Sequence, residues 1–559
     1  MSSLLRALTL ITLAVTTLPA RAGEAGPGTH RASGPALADY LRARLAEASG
    51  DRAGALEALR HALVHDPSSP QLRMSYAEAL ARSGDLVEAE AEARRALLLA
   101  PHGPAGADAR LTLGRILAQS HQLPEAAAEL SEAARIEGEP AKTGTPEPGA
   151  TRELDPEPWR ELARVRLEGG NEPGAAAACE ALAAIDPAEG AAGLRELAAK
   201  LLDARQDAVA EKRLRRAVEL APSEPEGWKL LARLDEARGR DADARTSWER
   251  ALANDPEDPE ALLSAGQLAL RTGDLTAARG WLRQAVRATS DEASARARVA
   301  ALWLEAKQPA EALDAARGED PRLAYLRGLA LQQLRRWSEA AAAFGEVPAS
   351  SGELYASARA SLAFALSRAG KPAEAVKAVK RGLSAQPGDP TLLYALGEAY
   401  DRAGQREAAL AQMRAVLAVK ADHAEALNFL GYALAERGER LDEAQAFVER
   451  ALRVDPQNGY FLDSLGWVLF KRGEVSRALQ ALERAERLAG PEATILEHLG
   501  DVYRRAARPA DAVGAYRRAL VAPDPDADDE RTRVKHRAAL ERKLRELGPG
   551  EARPIQSRR

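Results

Sequence analysis

Cysteine is almost missing from this chain: Cys179 is the only one in 559 residues, so no intrachain disulfide can form. Aromatic side chains make up 4% of a sequence that is 46% hydrophobic, so alanine and leucine carry most of the apolar volume. That is the composition of long helical arrays. Charge of one sign is lacking too. The 78 Lys and Arg nearly balance 83 Asp and Glu, and the net charge of −5 excludes the basic footprint of a nucleic-acid binder. The motifs of common catalytic sites are absent: no phosphate loop, no H-E-x-x-H, no C-x-x-C and no G-x-S-x-G elbow. The eight histidines are scattered, and His61 and His65, four apart, have no third ligand near them in sequence. A tight zinc site takes three or four ligands. No enzyme activity, cofactor or metal is expected.

What is present is a repeat. Gly431, Gly466 and Gly500 stand 35 and 34 residues apart, each preceded by a leucine (Leu430, Leu465, Leu499). Another leucine lies three residues before that one, at Leu427, Leu462 and Leu496. Downstream come an alanine (Ala444, Ala478, Ala512), a bulky residue (Val448, Leu482, Tyr516) and a second alanine (Ala451, Ala485, Ala519). Leu427, Leu430 and Leu434 fall on one helical face, as do Ala444, Val448 and Ala451. Each unit therefore reads as two antiparallel helices, with small residues where their axes cross closely. Gly404 and Gly473 suit left-handed helix ends, and Pro456 stops a second helix. Self-similarity at this period signals a solenoid.

These residues resemble the tetratricopeptide repeat (TPR) family. Residues 225–256 carry nearly its full motif in Trp228, Leu231, Ala232, Ala244, Trp248, Ala251 and Pro256. About fourteen such units run in register along the chain. The resemblance implies an all-α, right-handed superhelical solenoid of helix-turn-helix units with a capping helix at its C-terminal end. Cys179 falls at the bulky second-helix position that Trp248 and Tyr516 occupy elsewhere, so it is expected to be a buried small hydrophobe.

In chain order, residues 1–22 read as a signal peptide: Arg6, an apolar run from Ala7 to Leu18, then Ala20-Arg21-Ala22 as a cleavage site. The run is about 12 residues, short of the roughly 20 that span a bilayer. An uncleaved anchor is the rival reading. With no cysteine at the cleavage site, a periplasmic or secreted protein without a lipid anchor or transmembrane segment is expected. Residues 23–35 read as a flexible arm and 36–137 as about three repeats. Residues 138–155 form a Pro/Gly/Thr-rich linker, and 156–522 hold about eleven repeats. One repeat, near residues 292–318, has a short second helix before Gly318 and Pro321. An acidic turn and capping helix occupy 523–547, with Leu540, Leu544 and Leu547 on one side, and 548–559 a disordered tail. The basic side of that helix reads either as a solvating cap or as a patch for anionic lipid or an acidic protein.

Aromatics are unevenly placed: sixteen of 23 lie between Tyr325 and Tyr516. In the family, first-helix positions 2, 5, 9 and 12 line the concave surface. The register assigns those faces to Tyr325, Phe364, Tyr394, Asn428, Tyr432, Tyr460, Trp467, Phe470 and Arg505. These are the candidate partner-binding residues, aromatics being efficient anchors for a peptide. Packing between neighbouring repeats is the alternative for the same rings. Earlier repeats carry charge at those positions, as at Lys229, Arg233 and Glu236. Some family members clamp a C-terminal carboxylate with basic and asparagine side chains. The positions here, Asn428, Tyr432, Asp463 and Trp467, do not favour that mode. The phrases around Gly431, Gly466 and Gly500 also resemble the repeats of proteobacterial envelope proteins that assemble complexes or deliver substrates to proteases. The resemblance implies a non-catalytic scaffold or adaptor for a protein or peptide, with self-association open. Binding of envelope polysaccharide through the same aromatics is the alternative.

Overall fold

The computed structural model describes residues 33–139, 154–289, 291–523 and 530–547. Among them are 29 α-helices and one three-residue 3-10 turn, with no strand. The helices run in chain order as fourteen consecutive pairs and a final single helix. The first hairpin is Gly34–Ser49 with Arg52–His65, the last is Ala493–Arg505 with Pro509–Ala519, and Glu530–Glu546 follows. No helix among the described residues is long and apolar enough to cross a membrane. The expected signal peptide and tail lie outside the described residues, as does most of the expected linker and acidic turn.

The hairpin Ala424–Val454 shows how sequence sets the unit. Leu427, Leu430 and Leu434 are buried along one face of its first helix. Gly438 closes that helix at φ 66°, a left-handed value open to glycine without a Cβ penalty. The crossing is tight. A Cβ on Gly431 would lie 2.5 Å from Val448 Cγ2 and 2.8 Å from the Ala444 carbonyl oxygen. One repeat on, a Cβ on Gly466 would lie 2.5 Å from Leu482 Cγ. The periodic glycines thus sit where the paired helix touches, which is why nothing larger recurs there.

The chain forms two compact units, Met1–Thr272 and Gly273–Arg559. In the first, the hairpins on either side of the proline-rich segment pack together. Leu117 and Leu130 share one apolar cluster with Leu162 and Val165. Across the same junction the Asp155 N–H donates to Glu137 Oε1 at 3.1 Å. Cys179 is buried in the adjoining cluster, and burial pushes its thiol up to about 11. In the second unit the apolar clusters run from repeat to repeat. The last gathers Leu499, Tyr516 and Ala519 around Leu540 of the final helix, with Leu544 and Leu547 packed at its edge.

Candidate partner-binding face

The first helices of the second unit carry the predicted aromatic set, and the structure sorts it by exposure. Tyr460 is 51% exposed and donates its hydroxyl to Glu492 Oε1 at 2.5 Å. Arg505 is exposed at the end of its helix. Tyr325, Phe364, Tyr394, Asn428, Tyr432 and Phe470 are half-buried. Trp467 is only 8% exposed. Its ring therefore joins repeats, and Tyr460 and Arg505 are the members most open to solvent.

The half-buried rings engage neighbours in pairs. Tyr325 tilts against Phe344 with centroids 5.6 Å apart, and Phe364 meets the Trp337 edge at 6.1 Å. The Arg402 guanidinium lies 5.8 Å from the Phe364 ring centre. Tyr394 stacks on His423 at 5.0 Å. Burial raises the Glu398 carboxyl beside Tyr394 above its ordinary range, although Arg402 pulls the other way. Burial likewise holds His423 below the usual imidazole value.

A polar and aromatic knot follows, tying three consecutive repeats. The Trp467 indole N–H donates to Glu436 Oε1 of the preceding repeat at 2.5 Å. The same indole stacks on His498 of the following repeat at 4.1 Å, and on Phe470 of its own helix at 5.1 Å. His498 Nδ1 lies 2.9 and 3.1 Å from the two carboxylate oxygens of Asp463. Burial alone would push the His498 pKa down. The Asp463 carboxylate, aided by Glu497 and Asp501, reverses this and raises it. Beside the knot, Asn428 Oδ1 is buried and accepts no hydrogen bond from the described residues. A buried acceptor left open is uncommon and marks a place where a donor is wanted.

The final helix closes this face at its far end. Lys543 Nζ reaches Glu497 Oε1 at 2.7 Å and Asp501 Oδ2 at 2.6 Å. His536 Nε2 lies 2.7 Å from Glu497 Oε2. Burial would raise the Glu497 carboxyl, but hydrogen bonds from His536 and Lys543 prevail and hold it down at about 2. Tyr516 donates to Asp501 Oδ1 at 2.6 Å. Sequence reading missed Asp463–His498 and Glu497–Lys543. The first pair stands 35 residues apart, one repeat length, which is the signal that places side chains on neighbouring first helices.

In the first unit the corresponding face is ionic. Lys229 is buried between Glu226 at 2.6 Å and Asp258 of the next repeat at 2.7 Å. Arg233 pairs with Glu260, and Glu236 accepts the Trp248 indole N–H at 2.7 Å. Histidines 61 and 65 do not converge: His61 is exposed, and His65 lies 3.7 Å from Asp39.

Hairpin pairs repeated in this way define a helical-repeat scaffold, whose stacked faces form extended interaction surfaces. Tetratricopeptide repeat models match residues 40–104, 230–293, 325–390 and 464–528. Two further models of that description match residues 366–431 and 424–458. The chain belongs to the tetratricopeptide repeat family. A TPR repeat-containing protein of Pseudomonas aeruginosa is 32% identical over 137 residues, 24% of this chain and 23% of that protein's length. Among solved structures, a chain from the APC/C hetero-tetramer Cut9–Hcn1 is 14% identical, with a TM-score of 0.37. That match covers 91% of this chain and 97% of the other. MamA from Desulfovibrio magneticus RS-1 is 22% identical with a TM-score of 0.26, over 29% of this chain and 93% of that one.

Proposed function

We propose that the protein is an exported, non-catalytic scaffold that holds an extended segment of an envelope protein against the first-helix face of its second unit. The observation carrying this reading is the surface around Asn428. Half-buried Asn428 and Tyr432 stand on one helix, with exposed Tyr460 and Arg505 on the two following repeats. An extended peptide suits that surface: its side chains can lie on the open rings and its carbonyl groups can accept from Arg505. The knot of Trp467 and His498 keeps the face preformed, which lowers the ordering cost of binding. Export rests on the character of residues 1–22.

The test places a photo-crosslinking residue at Tyr460 in the full-length protein expressed in its own envelope. A control protein carries the same residue at Val87, an 84% exposed side chain on a second helix of the first unit. A protein crosslinked from position 460, and lost when Asn428→Ala and Arg505→Ala are added, is the expected result. The same products from both positions would remove the face from consideration. A glycan in place of a protein would favour the polysaccharide reading. The intact mass of the purified product tests export separately: a chain that still carries residues 1–22 would count against it.

A further inference from the structure

One repeat of the second unit is incomplete. Its first helix, Glu292–Glu305, has 14 residues, but its second, Pro309–Ala315, has only 7. The preceding second helix, Leu275–Arg287, has 13. The truncation is written locally. Gly318 takes φ 133°, and Asp320 must be extended to accept the Arg322 N–H and cap the helix that starts at Pro321. About two turns are missing from the second-helix layer, roughly 10 Å of helix. An open groove of about 670 Å³ occupies that place.

Its lining comes from one face of each neighbouring helix. Arg279, Arg283 and Arg287 project from one wall, and Arg296 rises from the floor beside the buried Trp303 and Val299. The resident carboxylates are oversubscribed. Arg279 meets Glu311 at 2.6 Å, while Arg283 at 3.9 Å and Arg317 at 2.6 Å share Asp314. Arg296 meets Glu292 at 2.7 Å and also reaches the Ala315 carbonyl oxygen at 3.5 Å, at the truncated end. Arg287 is exposed and has no ion pair among the described residues. Four guanidiniums thus line the gap with three carboxylates, one of which, Asp314, is shared with Arg317 outside the lining.

We propose that this groove takes up a short acidic segment of a partner protein, a second docking point separate from the first-helix face. Arginine forks pair with carboxylates two bonds at a time, so closely spaced acidic side chains can bridge them. The gap has the length of two helical turns, which suits a few acidic residues and not a long polyanion. Glu311 and Asp314 already engage Arg279 and Arg283, which leaves guanidinium donors for a few incoming carboxylates and not for continuous phosphate, and Trp303 is too buried to stack on a base.

The test is fluorescence anisotropy of a fluorescein-labelled Glu-Glu-Leu repeat peptide titrated with the full chain. Binding that weakens with added salt, and that falls about tenfold or more in Arg283→Glu with Arg287→Glu, is expected. Both side chains are exposed, so circular dichroism of that variant should match the parent. A second variant, Arg533→Glu with Arg537→Glu, alters the exposed basic face of the last helix and should bind normally. No binding by the parent, equal binding by the Arg283/Arg287 variant, or loss only in the Arg533/Arg537 variant would each overturn the proposal. So would a labelled single-stranded oligonucleotide that occupies the groove when the peptide does not.

Discussion

The repeat at Pro225–Asn254 and the repeat at Gly459–Ala489 share one backbone plan, yet they fasten themselves to their neighbours by different physics. In the first, Lys229 crosses to Asp258 and Arg233 to Glu260. In the second, Trp467 is clasped between Glu436 and His498, and Asp463 holds His498. A tetratricopeptide hairpin specifies which positions meet across repeats and leaves open how they are joined. Ionic joints keep a surface polar and hydrated. Stacked joints make it apolar and preformed, and only the second kind has the character of a peptide groove.

The largest expected effect breaks the stacked joint. Trp467→Ala removes a ring bonded or stacked to three partners, and should cost about 3–5 kcal/mol locally. Lys229→Ala leaves two carboxylates that water can reach, and should cost about 1–3 kcal/mol. Because repeat arrays do not unfold as one unit, the measurement is hydrogen exchange by peptide, not a single melting point. Loss of protection around Gly459–Arg505 should far exceed loss around Pro225–Asn254, and moderate salt should weaken the exposed Arg233–Glu260 pair more than the buried Lys229–Asp258 pair. Equal losses would mean that the two kinds of joint are energetically alike.

The pH response sharpens the contrast. Lys229 is raised and Asp258 lowered from their ordinary values, each through the other once burial is overcome. The Asp258 contribution is lost only as pH falls below its ordinary value of 3.8. The Lys229 contribution is lost only as pH rises through a value above 10.5. Between those limits the Lys229–Asp258 joint should be indifferent to pH. His498 is raised above 6.5, so its contribution is complete below that value and is lost as pH rises through its folded pKa. Glu497 acts in the opposite sense: its contribution is present above 4.5 and lost as pH falls toward about 2. The end of the second unit should therefore be least stable at both extremes, with the upper edge nearest neutrality. Urea midpoints across pH, with 13C-labelled histidine to follow His498, would show it. A flat profile between pH 6 and 9 in the second unit would remove His498 from the account.

How much of this was legible in sequence depends on whether the determinant is periodic. Gly431, Gly466 and Gly500 recur because every hairpin needs the same close crossing, so both the all-helical fold and the helix pairing can be read from spacing. The seven-residue helix could be read too, since Gly318 and Pro321 act within a few residues. The exposure of the aromatic set could not. Tyr460 and Trp467 lie seven residues apart on one helix, yet one is open and the other closed. That difference is made by Glu436 and His498 on other repeats, through contacts that no pattern within a single unit records. The docking of Lys543 onto Glu497 and Asp501 is not periodic either, because the last helix has no counterpart among the other described residues.

The smallest predicted effect lies where the two units should behave alike. Most hairpin turns place glycine in the left-handed region, as at Gly239 with φ 69° and Gly473 with φ 83°. Arg205 in the first unit and Ala507 in the second adopt φ 59° and 55° with a Cβ attached. Left-handed backbone costs an L-residue roughly 1–2 kcal/mol, and glycine returns part of that gain by enlarging the unfolded ensemble. Arg205→Gly and Ala507→Gly should therefore each stabilise their own hairpin by about 0.5–1 kcal/mol, read as slower exchange of the flanking amides. The turn is set by local backbone geometry and does not involve the joints between repeats. A gain at Ala507 without one at Arg205 would mean that the turns, too, answer to what lies beside them.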